Sequence, residues 1–290
     1  MVTVITVCFN EKKGIRPTMN SVLAQDYRDF EYIIKDGGSV DGTREIIESY
    51  RKRFARKGIS LRLVSGPDRG IYDAMNLAVR EAKGDWINFM NAGDRFYGPN
   101  VLSQIFTCNK EGGCAQKAGK HKGEADRQAA DSEEAVDLIY GDTAEEEFGE
   151  LHYFRKCPEM IEERMPFSHQ SVFVRREHLI AHPFRLRYPI AADYDFLLTL
   201  HKEGKVFADT GVLVAVVTKT GKSSLRLKDT YLESIRVRRS HGITVPGGGE
   251  LRKKLLWMDI KQFGMDYFPA PLKYMIRKVQ RRLRGQKRVE

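Results

Sequence analysis

Apolar residues in the first ninety positions follow two alternating patterns, namely short continuous runs and longer stretches with helical spacing. The continuous runs are rich in β-branched residues, which is typical of strands buried on both faces of a parallel sheet. The stretches between them place apolar residues three and four positions apart, as amphipathic helices do. We predict strands at 2–9, 30–35, 60–65 and 85–90, and helices at 15–25, 43–57 and 70–83. Strand and helix therefore alternate, as in βαβ units around a mostly parallel sheet.

This pattern stops after residue 107 and resumes near residue 136. Residues 108–135 are poor in large apolar side chains and rich in Gly, Lys, Ala, Glu and Gln, which predicts a flexible surface insertion. Beyond it we predict strands at 136–140 (ending at Gly141-Asp142), 168–174 and 211–218, a helix at 195–203, and two basic amphipathic stretches after residue 250. We therefore divide the chain into an α/β domain over 1–220 and a basic, helical C-terminal region over 221–290.

Two of the predicted strands end in loops that carry aspartate. One loop runs from Asp36 to Thr43 and the other from Asn91 to Asp94. Ligands of open α/β sheets bind beyond the carboxyl ends of the strands, where a carboxylate can hold a divalent cation or accept hydrogen bonds from a ribose or a base. Each loop alone is equally compatible with an ordinary polar turn or a helix N-cap. The pair favours a nucleotide diphosphate site bridged by a metal ion.

Two further acidic residues and one histidine are candidates for chemistry. Asp193 and Asp195 could both be carboxylates of the first turn of a helix, where the helix dipole stabilises a negative charge. We expect this structural role for Asp195. We expect Asp193 to lie just outside the helix, where it is freer to act as a general base. His169, next to Gln170, is more typical of a hydrogen-bonded structural histidine than of a catalyst, because no second histidine stands three or four positions away from it.

Charge, cysteine content and hydropathy indicate the kind of partner and the cellular location. The net charge is +10, and the segment 252–290 holds twelve Lys or Arg against three Asp or Glu, which implies an anionic partner. The four cysteines form no CxxC pair, so neither a zinc site nor a disulfide framework is predicted and a reducing cytosol is expected. No apolar run approaches the ~20 residues of a membrane span. Residues 1–7 indicate a strand and not a signal peptide.

Four absent motifs or modules argue against other functions. The turn after the first strand lacks GxGxxG, which argues against a dinucleotide oxidoreductase, and the chain lacks GxxxxGK[ST], which argues against a P-loop phosphotransferase. No RNA- or DNA-binding module is present, so nucleic acid is not an expected partner. A sugar nucleotidyltransferase would share the sheet type, but it would need a Gly-rich basic phosphate loop where 8–14 provides none.

Taken in order, six segments resemble the inverting glycosyltransferases of family 2, which have the GT-A fold. The resemblance covers residues 2–225 and rests on the opening strand and turn Val4–Asn10, the helix end Ser21–Tyr27, the loop Asp36–Thr43 (similar to DGSxDGT), the helix region Asp68–Gly84, the metal-motif loop Asn91–Asp94 and the segment Ala192–Asp195 (similar to E-D-x-D). An ordered series of this kind is far more specific than any one member.

For the nucleotide, the resemblance implies a pocket at the ends of the first two strands. Thr6 and Asn10 would line it. Asp36 would bind the uracil-like base or the ribose, and Ser39 and Asp41 would shape the loop around it. The implied donor is a nucleotide-diphosphate sugar, most simply a UDP-sugar.

For the reaction, the resemblance implies a second group of residues. Asp73, Asn76 and Asn91 would face the donor. Asp94 would ligate Mg²⁺ or Mn²⁺ on the diphosphate, and Asp193 would deprotonate the acceptor hydroxyl, which then attacks the anomeric carbon from the opposite face. The QxxRW motif of processive synthases is absent, which favours transfer of a single sugar.

We therefore expect a GT-A α/β enzyme that adds one sugar to a glycan or a lipid-linked acceptor. The basic C-terminal region is expected to bind the anionic inner face of the cytoplasmic membrane, or else to pack as a solvated helix on the first domain. A catalytically silent nucleotide-sugar-binding module is the alternative, because Asn91 stands in place of the first metal-motif Asp and Ala192 in place of the Glu that precedes the base.

Overall fold

The computed structural model describes residues 1–107, 135–154, 156–218, 226–283 and 288–289. The expected insertion at 108–135 lies, except for residue 135, outside the described residues. The strands are β1 Val2–Cys8, β2 Phe30–Asp36, β3 Ser60–Ser65, β4 Trp86–Phe89, β5 Arg95–Phe96, β6 Leu138–Glu147, β7 Glu150–Phe154, β8 Val172–Arg175 and β9 Phe207–Thr218. The α-helices are α1 Ile15–Ala24, α2 Thr43–Arg56, α3 Ile71–Glu81, α4 Val101–Phe106, α5 Arg176–Ala181, α6 Ala192–Lys202, α7 Leu227–Ser240, α8 Gly248–Tyr267 and α9 Ala270–Leu283.

These strands form one mixed sheet in the order β3-β2-β1-β4-β8-β6-β9-β5, with β7 paired to β6. β1 to β4 are mutually parallel, as the sequence predicts, and β6 and β9 are parallel to each other. β8 lies between β4 and β6 and is antiparallel to both. Because β8 runs in the reverse direction, the residues just before it lie at the carboxyl end of β4. That reversal brings the 3-10 turn His169–Ser171 to the expected site.

Alternate residues of the central strands enter different cores, because successive side chains of a strand point to opposite faces. Ile5 and Val7 of β1 pack in the cluster that contains α3 and α6, whereas Val2 and Val4 pack in the cluster that contains α1 and α2. All seven residues of β1 are buried. Helices therefore cover both faces, which explains why the strand pattern is continuously apolar and not alternating.

Three details of the sequence interpretation are wrong. β6 does not end at Gly141-Asp142 but continues to Glu147, with a register irregularity next to β9. The segment expected as a strand from residue 168 begins with a 3-10 turn, and the strand starts only at Val172. Asp193 lies inside the first turn of α6 and not before it, because the helix already begins at Ala192.

The region after residue 225 is helical, as expected, and its first helix is part of the packed body. Val237 of α7 is fully buried in the cluster that contains α3 and α6. α8 and α9 contact the rest of the chain through ion pairs, Lys228 with Asp259 at 2.8 Å and Arg277 with Glu147 at 3.3 Å, and through the rings of Phe148 and Tyr274, whose centroids are 5.6 Å apart. No helix in the described ranges is both long enough and apolar enough to cross a membrane.

Candidate active site

The loop after β2 folds around the carboxylate of Asp36. The backbone amides of Gly38 and Ser39 donate to it at 3.1–3.2 Å, and the hydroxyl of Ser65 donates at 2.9 Å. The Ser39 hydroxyl donates to it as well. Asp36 is fully buried. Its carboxylate therefore fixes the shape of the loop, and its contact with a base or a ribose stays a prediction.

Asn10 joins this loop to the end of β1. Its backbone amide donates to the Ser39 hydroxyl at 2.8 Å, and its side-chain oxygen accepts from the amide of Val40 at 3.0 Å. The backbone of Asn10 has φ 54°, a left-handed conformation that Asn tolerates better than most residues. Asp41 accepts from the amide of Lys12 at 3.0 Å. Asn10, Ser39 and Asp41 thus lie together, as the sequence predicts, at the ends of two neighbouring strands.

Three other predicted donor residues already have protein partners. The hydroxyl of Thr6 is buried and donates to the carbonyl of Met90 at 2.6 Å, so Thr6 lies beneath the loops. On α3, Asp73 pairs with Arg69 at 3.2 Å, and hydrogen bonding from that guanidinium lowers the pKa of Asp73.

The third of these residues, Asn76, holds a distant loop. Its amide nitrogen donates to the carbonyl of Phe184 at 2.9 Å, and its amide oxygen accepts from the Phe184 amide at 2.9 Å. The two residues are 108 positions apart in the chain. Asn76 therefore anchors the segment that leads to α6, and a contact with the donor stays a prediction.

Asp94, at the end of the loop after β4, is a buried carboxylate. It is 7% exposed, and it accepts from the side chain of Gln170 at 2.7 Å and from the amide of Thr218 at 3.2 Å. Burial raises the pKa of Asp94 above its usual range, and these two hydrogen bonds oppose the shift. A cation bound to this carboxylate would favour its charged form against the cost of burial.

A chain of hydrogen bonds connects the β4 loop to the predicted base. His169 Nδ1 lies 3.1 Å from Asp193 Oδ2, and His169 Nε2 lies 2.9 Å from the amide nitrogen of Asn91. A neutral imidazole with its proton on Nδ1 satisfies both contacts, because Nδ1–H donates to the carboxylate and Nε2 accepts from the Asn91 amide. His169 is thus a member of the site, although the sequence favoured a purely structural histidine.

The other oxygen of Asp193 is also bound. Asp193 Oδ1 accepts from the neighbouring Tyr194 amide at 2.9 Å, and it lies 2.9 Å from the hydroxyl of Tyr72, whose single proton is shared with the Ile190 carbonyl at 2.7 Å. Only 17% of the Asp193 side chain is exposed. The contacts with His169, Tyr194 and Tyr72 therefore hold this acidic side chain in one orientation. Such a constraint is what a positioned general base requires.

One buried residue fixes the turn that carries His169 and Gln170. The amide nitrogen of Asn88, on β4, donates to the carbonyls of Gln170 and Val172 at 3.0 and 2.9 Å. Asn88 is fully buried. The polar residue within an apolar strand thus has a structural reason, which is to attach the turn before β8 to the sheet.

The oxygen donors of this site fit a divalent cation that is shared with a phosphate. Asn91 Oδ1 is buried and has no hydrogen-bond partner, and it belongs to the same loop as the Asp94 carboxylate. Within the described residues no cluster of three or more His, Cys, Asp or Glu could form a complete metal cage. One or two protein oxygens completed by substrate phosphate and water is the usual arrangement for Mg²⁺.

Comparison with known proteins finds similarity to glycosyltransferases. The family model described as glycosyl transferase family 2 matches residues 3–176. An uncharacterised glycosyltransferase of Mycobacterium tuberculosis is 41% identical over 104 residues, which are 36% of this chain and 37% of that protein. This chain thus spans little more than a third of that relative. A PGL/p-HBAD biosynthesis glycosyltransferase of Mycobacterium bovis is 29% identical over 201 residues, or 68% of each chain.

Solved structures show the same fold at low sequence identity. Residues 1–349 of Staphylococcus aureus TarS, in complex with UDP-GlcNAc, give a TM-score of 0.59 at 15% identity, over 91% of this chain and 72% of that one. The mannosyltransferase PcManGT of Pyrobaculum calidifontis, in complex with GDP-Man and Mn²⁺, gives 0.57 at 15% identity, over 96% and 79%. The likeness confirms the expected GT-A fold.

Proposed function

The chain belongs to glycosyl transferase family 2, and from that premise we propose that it transfers one sugar from a nucleotide-diphosphate donor to an acceptor hydroxyl with inversion. The observation that carries the proposal is the position of Asp193. Three hydrogen-bonding groups orient its carboxylate, and the His169 ring connects it to the loop of Asn91 and Asp94. A base candidate and a diphosphate-binding candidate therefore belong to one hydrogen-bonded unit.

In this mechanism Asp193 accepts the proton of the acceptor hydroxyl as its oxygen attacks the anomeric carbon. The new carbon–oxygen bond forms on the face opposite the donor phosphate, and the bond from the anomeric carbon to the phosphate oxygen breaks. The nucleoside diphosphate leaves with the electron pair. Tyr72 and His169 keep the carboxylate aligned, so that less of the barrier is spent on orientation.

The leaving diphosphate acquires charge that the site must balance. Asp94 and Asn91 would hold Mg²⁺ or Mn²⁺, which stabilises that charge when bound. The loop of Asp36, Ser39 and Asp41 would cradle the nucleoside. Solved neighbours of this fold bind UDP-GlcNAc or GDP-Man, which supports a nucleotide sugar as donor. We propose a UDP-sugar because the sequence of this loop resembles that of the family.

The acceptor we propose is a glycan, free or attached to a lipid, in the assembly of a bacterial polysaccharide or glycolipid. Relatives named for teichuronic acid and for PGL/p-HBAD biosynthesis support this class. The resemblance to enzymes that act on such acceptors also supports a cytoplasmic location at the inner face of the membrane. The acceptor would approach Asp193 from the rim of the sheet.

The C-terminal helices supply a surface that fits an anionic bilayer. Leu256, Ile260, Phe263 and Tyr267 recur along one face of α8 and are each more than half exposed. The basic excess lies in α9, which carries five Lys or Arg and no Asp or Glu, and each basic residue near an anionic surface contributes about 1 kcal/mol. We propose that α8 and α9 form a peripheral membrane anchor, with apolar residues inserted among the headgroups and basic residues beside lipid phosphates.

The experiment that tests this function compares Asp193→Asn with Asp85→Asn, a matched change at an exposed carboxylate at the amino end of β4. We expect Asp193→Asn to lower donor turnover by about 10²-fold or more and to leave donor affinity within about 2-fold, since only a general base is lost. Turnover of Asp85→Asn should equal that of the unaltered protein.

Two outcomes contradict the proposal. If Asp193→Asn turns over the donor normally, the base is elsewhere. If the unaltered protein binds nucleotide sugars with Mn²⁺ but neither transfers nor hydrolyses them, the chain is the silent binding module that Asn91 and Ala192 left open.

A further inference from the structure

A carboxylate from α7 reaches the start of the helix that carries Asp193. Glu233 Oε1 accepts from the backbone amides of Ile190 and Ala191, at 2.6 and 2.7 Å. Glu233 is only 5% exposed. These two amides lie immediately before α6, which begins at Ala192. An acidic side chain about forty positions further along the chain therefore binds the backbone directly in front of the proposed base.

This contact lies at the N-terminus of a helix whose N-cap residue forms no side-chain hydrogen bond. The first amides of any α-helix have no partner inside the helix, and a side chain at the N-cap usually satisfies one of them. The N-cap of α6 is Ala191, which has no polar side chain. Glu233 supplies an acceptor near that terminus, and its negative charge is favourable there because of the helix dipole. The hydrogen bonds from these two backbone amides also offset the cost of burying this carboxylate.

The segment that Glu233 holds is attached to Asp193 by a second route. The hydroxyl of Tyr72 contacts the Ile190 carbonyl at 2.7 Å and Asp193 Oδ1 at 2.9 Å. Glu233 therefore fixes the amide side of residue 190, while Tyr72 contacts its carbonyl and the carboxylate of the base. A shift of the 190–191 backbone would move both the start of α6 and the hydroxyl that aligns Asp193.

We propose that Glu233 is a positioning residue for the glycosyl-transfer step, acting through the 190–191 backbone on Asp193. The inference rests on the proposed function, because it matters for turnover only if Asp193 is the base. α7 lies beyond the residues that the family model matches, 3–176, so nothing in that match assigns this residue a role. The first helix of the C-terminal region, α7, thus helps to position the base.

The test uses three changes at one position in the full chain. Glu233→Asp keeps the charge but shortens the side chain by one methylene, so it loses reach to the two amides. Glu233→Gln keeps the length and an acceptor oxygen. Glu233→Ala removes both. The matched control is Tyr188→Phe, which removes a different hydrogen bond between the same loop and α7, from Tyr188 to Ser240 at 3.0 Å.

We expect Glu233→Asp and Glu233→Ala to lower kcat by about 10-fold or more, because small misplacements of a catalytic group are costly. The KM for the donor should stay within about 2-fold, because the donor loops are not touched. Glu233→Gln should recover most of kcat, and Tyr188→Phe should equal the unaltered protein. If Glu233→Ala does not fold, Glu233→Asp decides the matter.

A double-variant cycle separates positioning from general structural damage. In an Asp193→Asn background, Glu233→Asp should change the residual rate by less than about 2-fold, because the group it positions is no longer a base. An undiminished loss in that background overturns the inference, and so does normal kcat for Glu233→Asp alone. Normal turnover of Asp193→Asn by itself would instead refute the proposed function, so the two failures are distinguishable.

Discussion

Replacement of His169 by Ala should lower the turnover of the donor while it costs only a modest part of the free energy of unfolding. The change removes the contact with Asp193 at 3.1 Å and the contact with Asn91 at 2.9 Å. A hydrogen bond to a charged group contributes roughly 1.5–3 kcal/mol, and a neutral one about 1 kcal/mol. Asp193 keeps its contacts with Tyr72 and Tyr194, and the His169 side chain is one quarter exposed, so solvent replaces part of what is lost. We expect a loss of unfolding free energy of about 1–2 kcal/mol.

The same chain contains a matched histidine–carboxylate pair away from the site. His178 Nε2, on α5, lies 2.7 Å from Asp137 Oδ1 at the start of β6. His178→Ala should cost at least as much unfolding free energy, because His178 is buried. It should leave kcat within about 2-fold, whereas His169→Ala should lower kcat by about 10-fold or more.

The assay is donor turnover at a temperature well below both melting transitions, together with urea unfolding of each variant. A difference in turnover at similar stability supports the hydrogen-bonded unit of His169 and Asp193. The reasoning is refuted if His169→Ala keeps normal kcat, or if both variants lose turnover in proportion to their stability.

Three further outcomes are expected. Asp94→Ala should abolish transfer and weaken nucleoside diphosphate binding mainly when Mn²⁺ is present, as calorimetry with and without the metal would show; unchanged metal-dependent affinity would contradict the role of Asp94 as a metal ligand. Burial lowers the pKa of His201, so between its folded pKa and about 6.5 the unfolded chain binds more protons than the folded chain, and stability falls as pH falls. The free energy of unfolding in urea should therefore fall less between about pH 7 and pH 5 for His201→Gln than for the unaltered protein. Equal losses would contradict this expectation. Truncation after Gly249 should abolish sedimentation with anionic vesicles but retain turnover of a soluble acceptor, and salt-insensitive or lipid-charge-insensitive binding of the full chain would contradict the membrane anchor.

The first half of the fold could be predicted well from the sequence. There the strands are buried on both faces of the sheet, so they stand out as continuous apolar runs between helices with amphipathic spacing. β1 to β4 and the helices between them lie within a few residues of the expected bounds. The second half was harder to predict. β6 continues past Gly141 because β7 and β9 pair with it on opposite sides, and those pairings depend on residues far away in the chain.

The candidate site could also be predicted only in part. The loops of Asp36 and Asp94 are directly visible in the sequence, since each follows an apolar strand. The partner of Asp193 is not visible, because His169 reaches it only through the reversed direction of β8, which no local pattern indicates. Tyr72 stands in a segment that resembles the family but was not assigned a role. The role of Glu233 could not be predicted from the sequence, because a single Glu within a helix is ordinarily exposed to solvent.

The central claim is that this chain catalyses inverting transfer from a nucleotide-diphosphate sugar, and the anomer released tests it most directly. The purified chain would be given an α-linked UDP-sugar that it turns over, with Mn²⁺ and with water as acceptor, and proton NMR would record the free sugar before mutarotation. The account predicts that the β-anomer forms first and that Asp193→Asn slows its appearance. Initial release of the α-anomer would contradict inversion and the role given to Asp193.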